Sequence, residues 1–273
     1  MSKPLKIGIV GCGAIGSSLA NAIVADFSDK AELVSLYDII IENSYKLANK
    51  FSNQRLVALN LEDLINKADL VIEATKAESA FEIAKKTIAS GKDIIVMSVG
   101  GIIEHSKELE VLAQEKGVSV FIPSCAVCGI DGLKAAFCGK IHKVTLTTKK
   151  PPKAFLGVPY VLKRKIRLDN IDGDTVIFQG NALTAIRAFP QNINVAATLS
   201  MAGVGSENTL VRIVASPGIT RNTHEIEIES DAGRIFIRTE NVIHPDNPKT
   251  SFLAVLSAIA TLKQILEPVK IGT

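Results

Sequence analysis

Lys6-Ile-Gly-Ile-Val-Gly11-Cys-Gly13-Ala-Ile-Gly16 is the stretch whose reading decides the fold. An apolar run that begins at Leu5 opens into three glycines spaced G-x-G-x-x-G. A helical pattern follows at once, with Ala14, Ile15, Leu19, Ile23 and Val24 recurring at steps of about three to four residues. The glycines therefore stand between a strand and a helix. A dinucleotide needs this arrangement: Gly11 makes the tight turn, Gly13 lets the backbone approach a pyrophosphate, and Gly16 lets the helix lie close to the strand. The N–H groups at the helix start, at Ala14 and Ile15, would hold the phosphates with the positive end of the helix dipole.

Working outward, a second apolar run, Leu33-Val-Ser-Leu-Tyr-Asp38, ends in a carboxylate at roughly the ~20-residue spacing of the dinucleotide fingerprint. Asp38 can accept hydrogen bonds from the ribose 2′- and 3′-hydroxyls, whereas a 2′-phosphate would meet its negative charge. The following Ile-Ile-Ile-Glu offers no arginine for a 2′-phosphate, so NAD is expected over NADP. The competing reading is an ordinary glycine turn with Asp38 as a helix cap. The order of strand, glycines, helix, strand and acid favours the nucleotide.

Residues 5–124 alternate strand-like and helix-like patterns. Strands are expected at Asp69–Thr75, Asp93–Ser98 and Val118–Pro123, and helices at about Ile41–Phe51, from Asn60, at Glu78–Ala89 and at His105–Lys116. The strands are nearly continuous in apolar residues, as parallel strands covered on both faces should be. The fold class is α/β, a doubly wound parallel (Rossmann) dinucleotide-binding domain. After Ser124 the pattern changes. Lys143–Lys149, Thr209–Val214, His224–Glu229 and Arg234–Arg238 alternate with period two, and Thr175–Gln179 is a short strand closed by Gly180. Helices are expected at Ala182–Ala188 and Ile193–Ala202. This is an α+β second domain with a mainly antiparallel sheet. A last helix, Phe252–Leu266, with Thr250 and Ser251 as caps, presents Leu253, Leu256, Ile259, Leu262, Ile265 and Leu266 and is expected to return to the first domain. The expected domains are 1–123 with 248–273, and 124–247.

Composition narrows the function. The 273 residues are 47 % hydrophobic and 22 % charged, enough to fill two ordinary cores, and the net charge of +3 is too mild to imply nucleic acid. The first strand follows directly on Met-Ser-Lys-Pro, leaving no room for a signal peptide, and no apolar run reaches membrane-spanning length. Four cysteines suit a reducing compartment, so a cytoplasmic chain with no membrane partner is expected. Cys125-Ala-Val-Cys128 has metal or redox spacing, with Cys138 as a possible third thiolate. Without a fourth nearby ligand the reading is buried apolar cysteines near the cofactor, and no metal site.

Two polar features of the second domain carry possible chemistry. In His224-Glu-Ile-Glu-Ile-Glu229, His224 shares a face with Ile226 and Ile228, while the glutamates face the other way. It is either a satisfied core histidine or an acid-base group at the head of an apolar face, titrating near ~6.5. His105 and His142 carry no such signal. His244-Pro-Asp-Asn-Pro-Lys-Thr-Ser251 is either a rigid linker with a helix cap or a place where Asn247, Lys249 and Thr250 line a cleft and bind substrate.

Taken together, the chain resembles the L-aspartate dehydrogenase family. Beyond the glycine motif, the resemblance is carried by Phe121-Ile-Pro-Ser-Cys-Ala126-Val-Cys-Gly-Ile-Asp131-Gly-Leu, Lys150-Pro-Pro-Lys153, Phe189-Pro-Gln-Asn192-Ile-Asn194-Val-Ala-Ala-Thr198 and Asn247-Pro-Lys-Thr-Ser251, with His224 in its strand. These run in family order over almost the whole length. Cys125 and Cys128 depart from it, standing where the family usually has glycine. The resemblance implies oxidation of L-aspartate with NAD or NADP through iminoaspartate to oxaloacetate and ammonia, the imine alternatively feeding NAD biosynthesis. It implies Ala126 and Asn192 as cofactor contacts (Asn194 being the alternative asparagine), His224 as the catalytic residue, and a homodimer built on the second domain. Lys249, Arg221 and Lys153 are candidates for the substrate carboxylates. Two other readings compete: a related two-domain reductase of homoserine dehydrogenase or dihydrodipicolinate reductase type, and a non-catalytic NAD-sensing protein.

Overall fold

Short apolar runs that can bury both faces become parallel strands when helices cover them from either side. In the computed structural model, which describes residues 3–189, 194–245 and 247–272, that is the architecture of the first of two units. This unit comprises Met1–Pro123 and Val255–Ile271. Its elements are β1 (Leu5–Val10), α1 (Ala14–Asp26), β2 (Ala31–Tyr37), α2 (Ile41–Lys50), α3 (Leu61–Lys67), β3 (Leu70–Glu73), α4 (Ala77–Ala89), β4 (Asp93–Val96), α5 (Ser106–Lys116) and β5 (Val120–Phe121). The sheet order is β2-β1-β3-β4-β5, and every neighbouring pair is parallel.

Alternation along β1 shows the two layers. Ile7 and Ile9 are fully buried in one cluster with Leu19 and Ile23 of α1 and with Ala258 and Leu262 from near the carboxyl end of the chain. Gly8 faces the other way, where an added Cβ would come within 2.7 Å of the Leu64 side chain of α3. The sheet is thus covered on both faces. Strand order reverses between β1 and β3, and in such sheets ligands bind in the crevice at that switch, outside the carboxyl ends of the strands. The glycine turn leaves β1 at that end.

The second unit, Ser124–Ala254 with Gly272–Thr273, contains α6 (Ile130–Phe137), β6 (Ile141–Lys150), α7 (Pro159–Lys163), β7 (Thr175–Asn181), α8 (Ala182–Ala188), α9 (Asn194–Ala202), β8 (Thr209–Ala215), β9 (Asn222–Ser230), β10 (Gly233–Asn241), β11 (Ile243–His244) and β12 (Asn247–Ser251). Its sheet runs β10-β9-β6-β8-β7. β6 and β8 are parallel and the other three pairs antiparallel. Alternation sorts β9 as the sequence pattern requires: His224, Ile226 and Ile228 are buried, while Glu225, Glu227 and Glu229 pair with Lys149, Arg234 and Lys143.

The structure differs from the sequence pattern in several places. α6 and α7 are helices too short for a periodic signal. β7 runs through Gly180 to Asn181, whose side chain accepts from Thr184 N (2.9 Å) and caps α8. The stretch that by sequence is either a rigid linker or a cleft lining forms a hairpin, with Ile243 opposite Ser251 and His244 opposite Asn247. A two-stranded ladder leaves one edge of each strand unbonded, so it tolerates proline. The final helix, α10 (Phe252–Leu266), buries Val255, Ala258 and Leu262, whereas Leu256, expected on the core side, is 43 % exposed. Ser257 and Ala258 are small enough to take the buried line instead. Among the described residues no helix is long and apolar enough to cross a membrane.

Candidate functional site

In the first unit the three glycines differ in what surrounds them. Gly11 has φ +97°, and a Cβ there would sit 2.4 Å from the Ala74 carbonyl oxygen at the end of β3. A Cβ on Gly16 would lie 1.9 Å from the Gly11 carbonyl oxygen, so only glycine lets α1 close on the turn. Gly13 is exposed and a Cβ there would meet nothing within 4 Å. No side chain caps α1, and its first turn, from Ala14 and Ile15, holds no acidic residue. That leaves first-turn N–H groups facing open space beside Gly13, a cradle that fits a pyrophosphate.

Asp38 is tied into this turn. Its Oδ2 accepts from Cys12 N (2.8 Å), and its Oδ1 accepts from Ile40 N (2.9 Å) and Asn43 Nδ2 (3.3 Å). Asp38 does not cap α2, whose N-cap is Ile40 with no side-chain cap bond; it braces the glycine turn, and a carboxylate has lone pairs left for ribose hydroxyls. Glu73 was not visible to sequence reasoning. It is fully buried at the end of β3, and its two oxygens accept from Thr75 N (2.7 Å), Thr75 Oγ1 (2.6 Å), Met97 N (3.1 Å) and Ser98 N (2.9 Å). It ties the ends of β3 and β4 together beside the switch point. Four donors offset the cost of burying it.

In the second unit the chemistry gathers on the buried face of β6, β9 and β10. Thr148 stands opposite His224, and Thr239 stands opposite it on the other side. His224 is 4 % exposed, with Nδ1 3.0 Å from Thr148 Oγ1. Burial first, and the charge of Lys150 second, push its pKa down to about 3. This corrects the expectation of titration near neutrality: desolvation penalises the imidazolium, so His224 is neutral at physiological pH. Burial likewise pushes the Lys150 ammonium down to about 8. Lys150 ends β6 immediately before two prolines. Extending the alternation of Val144, Leu146 and Thr148 by one step places it on the His224 face.

The loop at Cys125–Gly129 sits over the same face. The Ala126 carbonyl accepts from Asn241 Nδ2 (2.9 Å) and Thr239 Oγ1 (3.3 Å), which brings Ala126 to the end of the sheet that holds His224. The two cysteines separate: Cys125 is buried, with φ +59° and its Sγ 3.4 Å from Thr198 Oγ1, while Cys128 is exposed, against the expectation of a buried pair. Burial raises the Cys125 thiol to about 11, which makes it inert. On the hairpin, Asn247 Nδ2 donates to Thr250 Oγ1 (3.1 Å), and the buried His244 ring packs edge-on against Phe252 at 5.5 Å. Arg221 and Lys153 are exposed. His142 lies 2.7 Å from Asp231, and His105 stacks on Phe81. Asn192 and the Lys249 side chain lie outside the described residues.

A doubly wound sheet with a glycine turn and a terminal acid, joined to a largely antiparallel unit with a buried histidine, defines a two-domain dehydrogenase of the NAD(P)-dependent kind. Residues 11–123 match the family model described as homoserine dehydrogenase, NAD binding domain, and residues 131–265 match aspartate dehydrogenase, C-terminal. The chain belongs to the L-aspartate dehydrogenase family. It is 43 % identical to the L-aspartate dehydrogenase of Methanosarcina mazei over 271 residues, which is 98 % of this chain and 100 % of that protein. It is also 43 % identical to that of Methanococcoides burtonii, over 98 % of this chain and 100 % of that one. The crystal structure of aspartate dehydrogenase from Thermotoga maritima shares the fold, with a TM-score of 0.74 and 24 % identity over 99 % of this chain and 100 % of that chain.

Proposed function

We propose that this chain oxidises L-aspartate through iminoaspartate to oxaloacetate and ammonia with NAD in preference to NADP, the imine being an alternative product for NAD biosynthesis. What carries the reading is membership of the L-aspartate dehydrogenase family along both units, with the second unit, where the substrate chemistry gathers, matching the aspartate dehydrogenase model. The nicotinamide supplies the hydride acceptor. Gly11, Gly13, Ala14 and Ile15 hold the pyrophosphate, Asp38 the ribose, and Ala126 and Asn192 complete the cofactor contacts. The charge of Asp38, with Glu42 four residues on, opposes a 2′-phosphate. His224 is the catalytic residue. Thr148 engages Nδ1, so Nε2 exchanges protons with the substrate amine or the attacking water. A substrate-borne charge must raise its basicity for this. Asn247, Lys249 and Thr250 are assigned to substrate contacts.

The working form is a cytoplasmic homodimer built on the second unit, with no nucleic-acid or membrane partner. A panel of amino acids offered with NAD and with NADP, followed at the nicotinamide absorbance, tests the reading. Turnover confined to L-aspartate and faster with NAD is expected. Reduction of aspartate semialdehyde or a cyclic imine without aspartate oxidation would replace it by a reductase. NAD binding with no turnover of any amino acid would replace it by a sensor.

A further inference from the structure

Aspartate brings two carboxylates to the site, and a neutral His224 offers them no charge. Of the cations named from the sequence, Arg221 and Lys153 are exposed, and the Lys249 side chain lies outside the described residues. β6 places a cation on the His224 face. Val144, Leu146, Thr148 and Lys150 occupy alternate positions and so share one face. The first three are buried, and Lys150 ends the row, half-buried. Thr148 holds the His224 ring at 3.0 Å, and Lys150 follows two positions later on the same side. The strands sort their other charges onto the opposite face, where Lys149 and Arg238 pair with Glu225, Arg234 with Glu227 and Lys143 with Glu229.

We propose that the Lys150 ammonium receives a carboxylate of the substrate beside His224 and thereby selects acidic amino acids. The inference rests on L-aspartate oxidation as the activity of the chain. The physical case is one of division of labour. An uncharged imidazole can move protons but cannot attract an anion. A fixed ammonium in a poorly solvated position attracts one strongly, because the surroundings screen less than water. Burial pushes Lys150 down to about 8, so it holds its proton at neutral pH, and a bound carboxylate returns the stabilisation that burial removed. Burial first and the Lys150 charge second keep His224 neutral before substrate arrives, and a carboxylate on Lys150 relieves the second of these. Binding of the acidic substrate thus makes the histidine more basic at the moment a base is needed.

The test is steady-state kinetics of the full-length enzyme and of Lys150→Met, Lys150→Gln and Lys150→Arg with L-aspartate, alongside NADH binding followed by fluorescence. Wild-type turnover of aspartate is scored first; its absence removes the functional reading, and this proposal with it, before any variant is compared. With wild-type activity in place, Lys150→Met should raise the KM for aspartate by about 10- to 150-fold, the range for a charged hydrogen bond. NADH affinity should stay within about twofold, since no cofactor contact is touched. Lys150→Gln keeps a polar stem without the charge and carries the same expectation if the methionine variant does not fold. Lys150→Arg should recover part of the loss. A KM within threefold of wild type in both neutral variants overturns the proposal. So does a fall in kcat at unchanged KM, which would make Lys150 a proton carrier, or an equal loss of NADH affinity.

Discussion

At the glycine turn of the first unit, one unbroken stretch from Lys6 to Gly16 supplies the strand end, the turn and the helix start. Around His224 in the second unit, the parts come from far apart: Asn241 reaches the Ala126 carbonyl across 115 positions, and Thr148 meets His224 across 76. The first region works through backbone, where the residue type that matters is the one lacking a side chain. The second works through side chains whose protonation is set by burial. The difference teaches where each should fail. Substitutions in the turn should act through shape, and substitutions on the sheet face through charge and proton transfer.

The largest effect should come from breaking the shape of the turn. Gly16→Ala would put a methyl 1.9 Å from a backbone oxygen, and backbone cannot rotate away as a side chain can. Overpacking of this kind costs about 1–3 kcal/mol, occasionally more, so a clear drop in melting temperature is expected together with loss of NADH binding. Gly13→Ala is the sharper partner experiment. Its methyl meets open space, so melting should be unchanged while NADH affinity falls; equal loss of both would mean that Gly13 is structural and not a ligand contact.

His224→Ala should lower aspartate turnover by about 10²–10⁴-fold with NADH binding near wild type, the usual contribution of a general acid-base group. His224→Asn should fare little better, because an amide does not exchange a proton at neutral pH. Melting and turnover measured on the same preparation separate this from a packing role: a variant that melts early but turns over normally would make His224 a core residue and shift attention to His244 or Lys249.

A smaller effect is expected at Asp38. Asp38→Asn keeps an acceptor for Cys12 N but removes the charge. The NAD/NADP preference should narrow by about fivefold, corresponding to roughly 1 kcal/mol for a charge a few ångströms away in water. A wild type that already prefers NADP would refute the role given to Asp38. A separate effect is expected on pH-dependent stability. The folded pKa of His224 lies below its unfolded value of 6.5, at about 3. Its contribution is therefore complete above pH 6.5 and is lost as pH falls toward about 3, because the unfolded state binds the proton first. Melting temperature followed from pH 7 to pH 4 should fall more steeply for wild type than for His224→Asn; parallel curves would show that His224 titrates normally.

The sequence by itself determined the nucleotide-binding unit. Contiguous motifs survive translation into structure, because a glycine turn and the helix after it are local: Gly11, Gly13 and Asp38 could be named before any contact was known. Alternation, also local, determined which way His224 and the three glutamates of β9 face. Tertiary structure alone decided what each side chain experiences. Glu73 reads as one more strand residue until Met97 and Ser98, just past β4, place two N–H groups against it. Lys150 reads as the end of a strand until β9 brings a histidine alongside. The imidazole of His224 has an ordinary pKa in the chain and a depressed one in the fold, because desolvation depends on neighbours from β6 and β10 that no spacing in the sequence encodes.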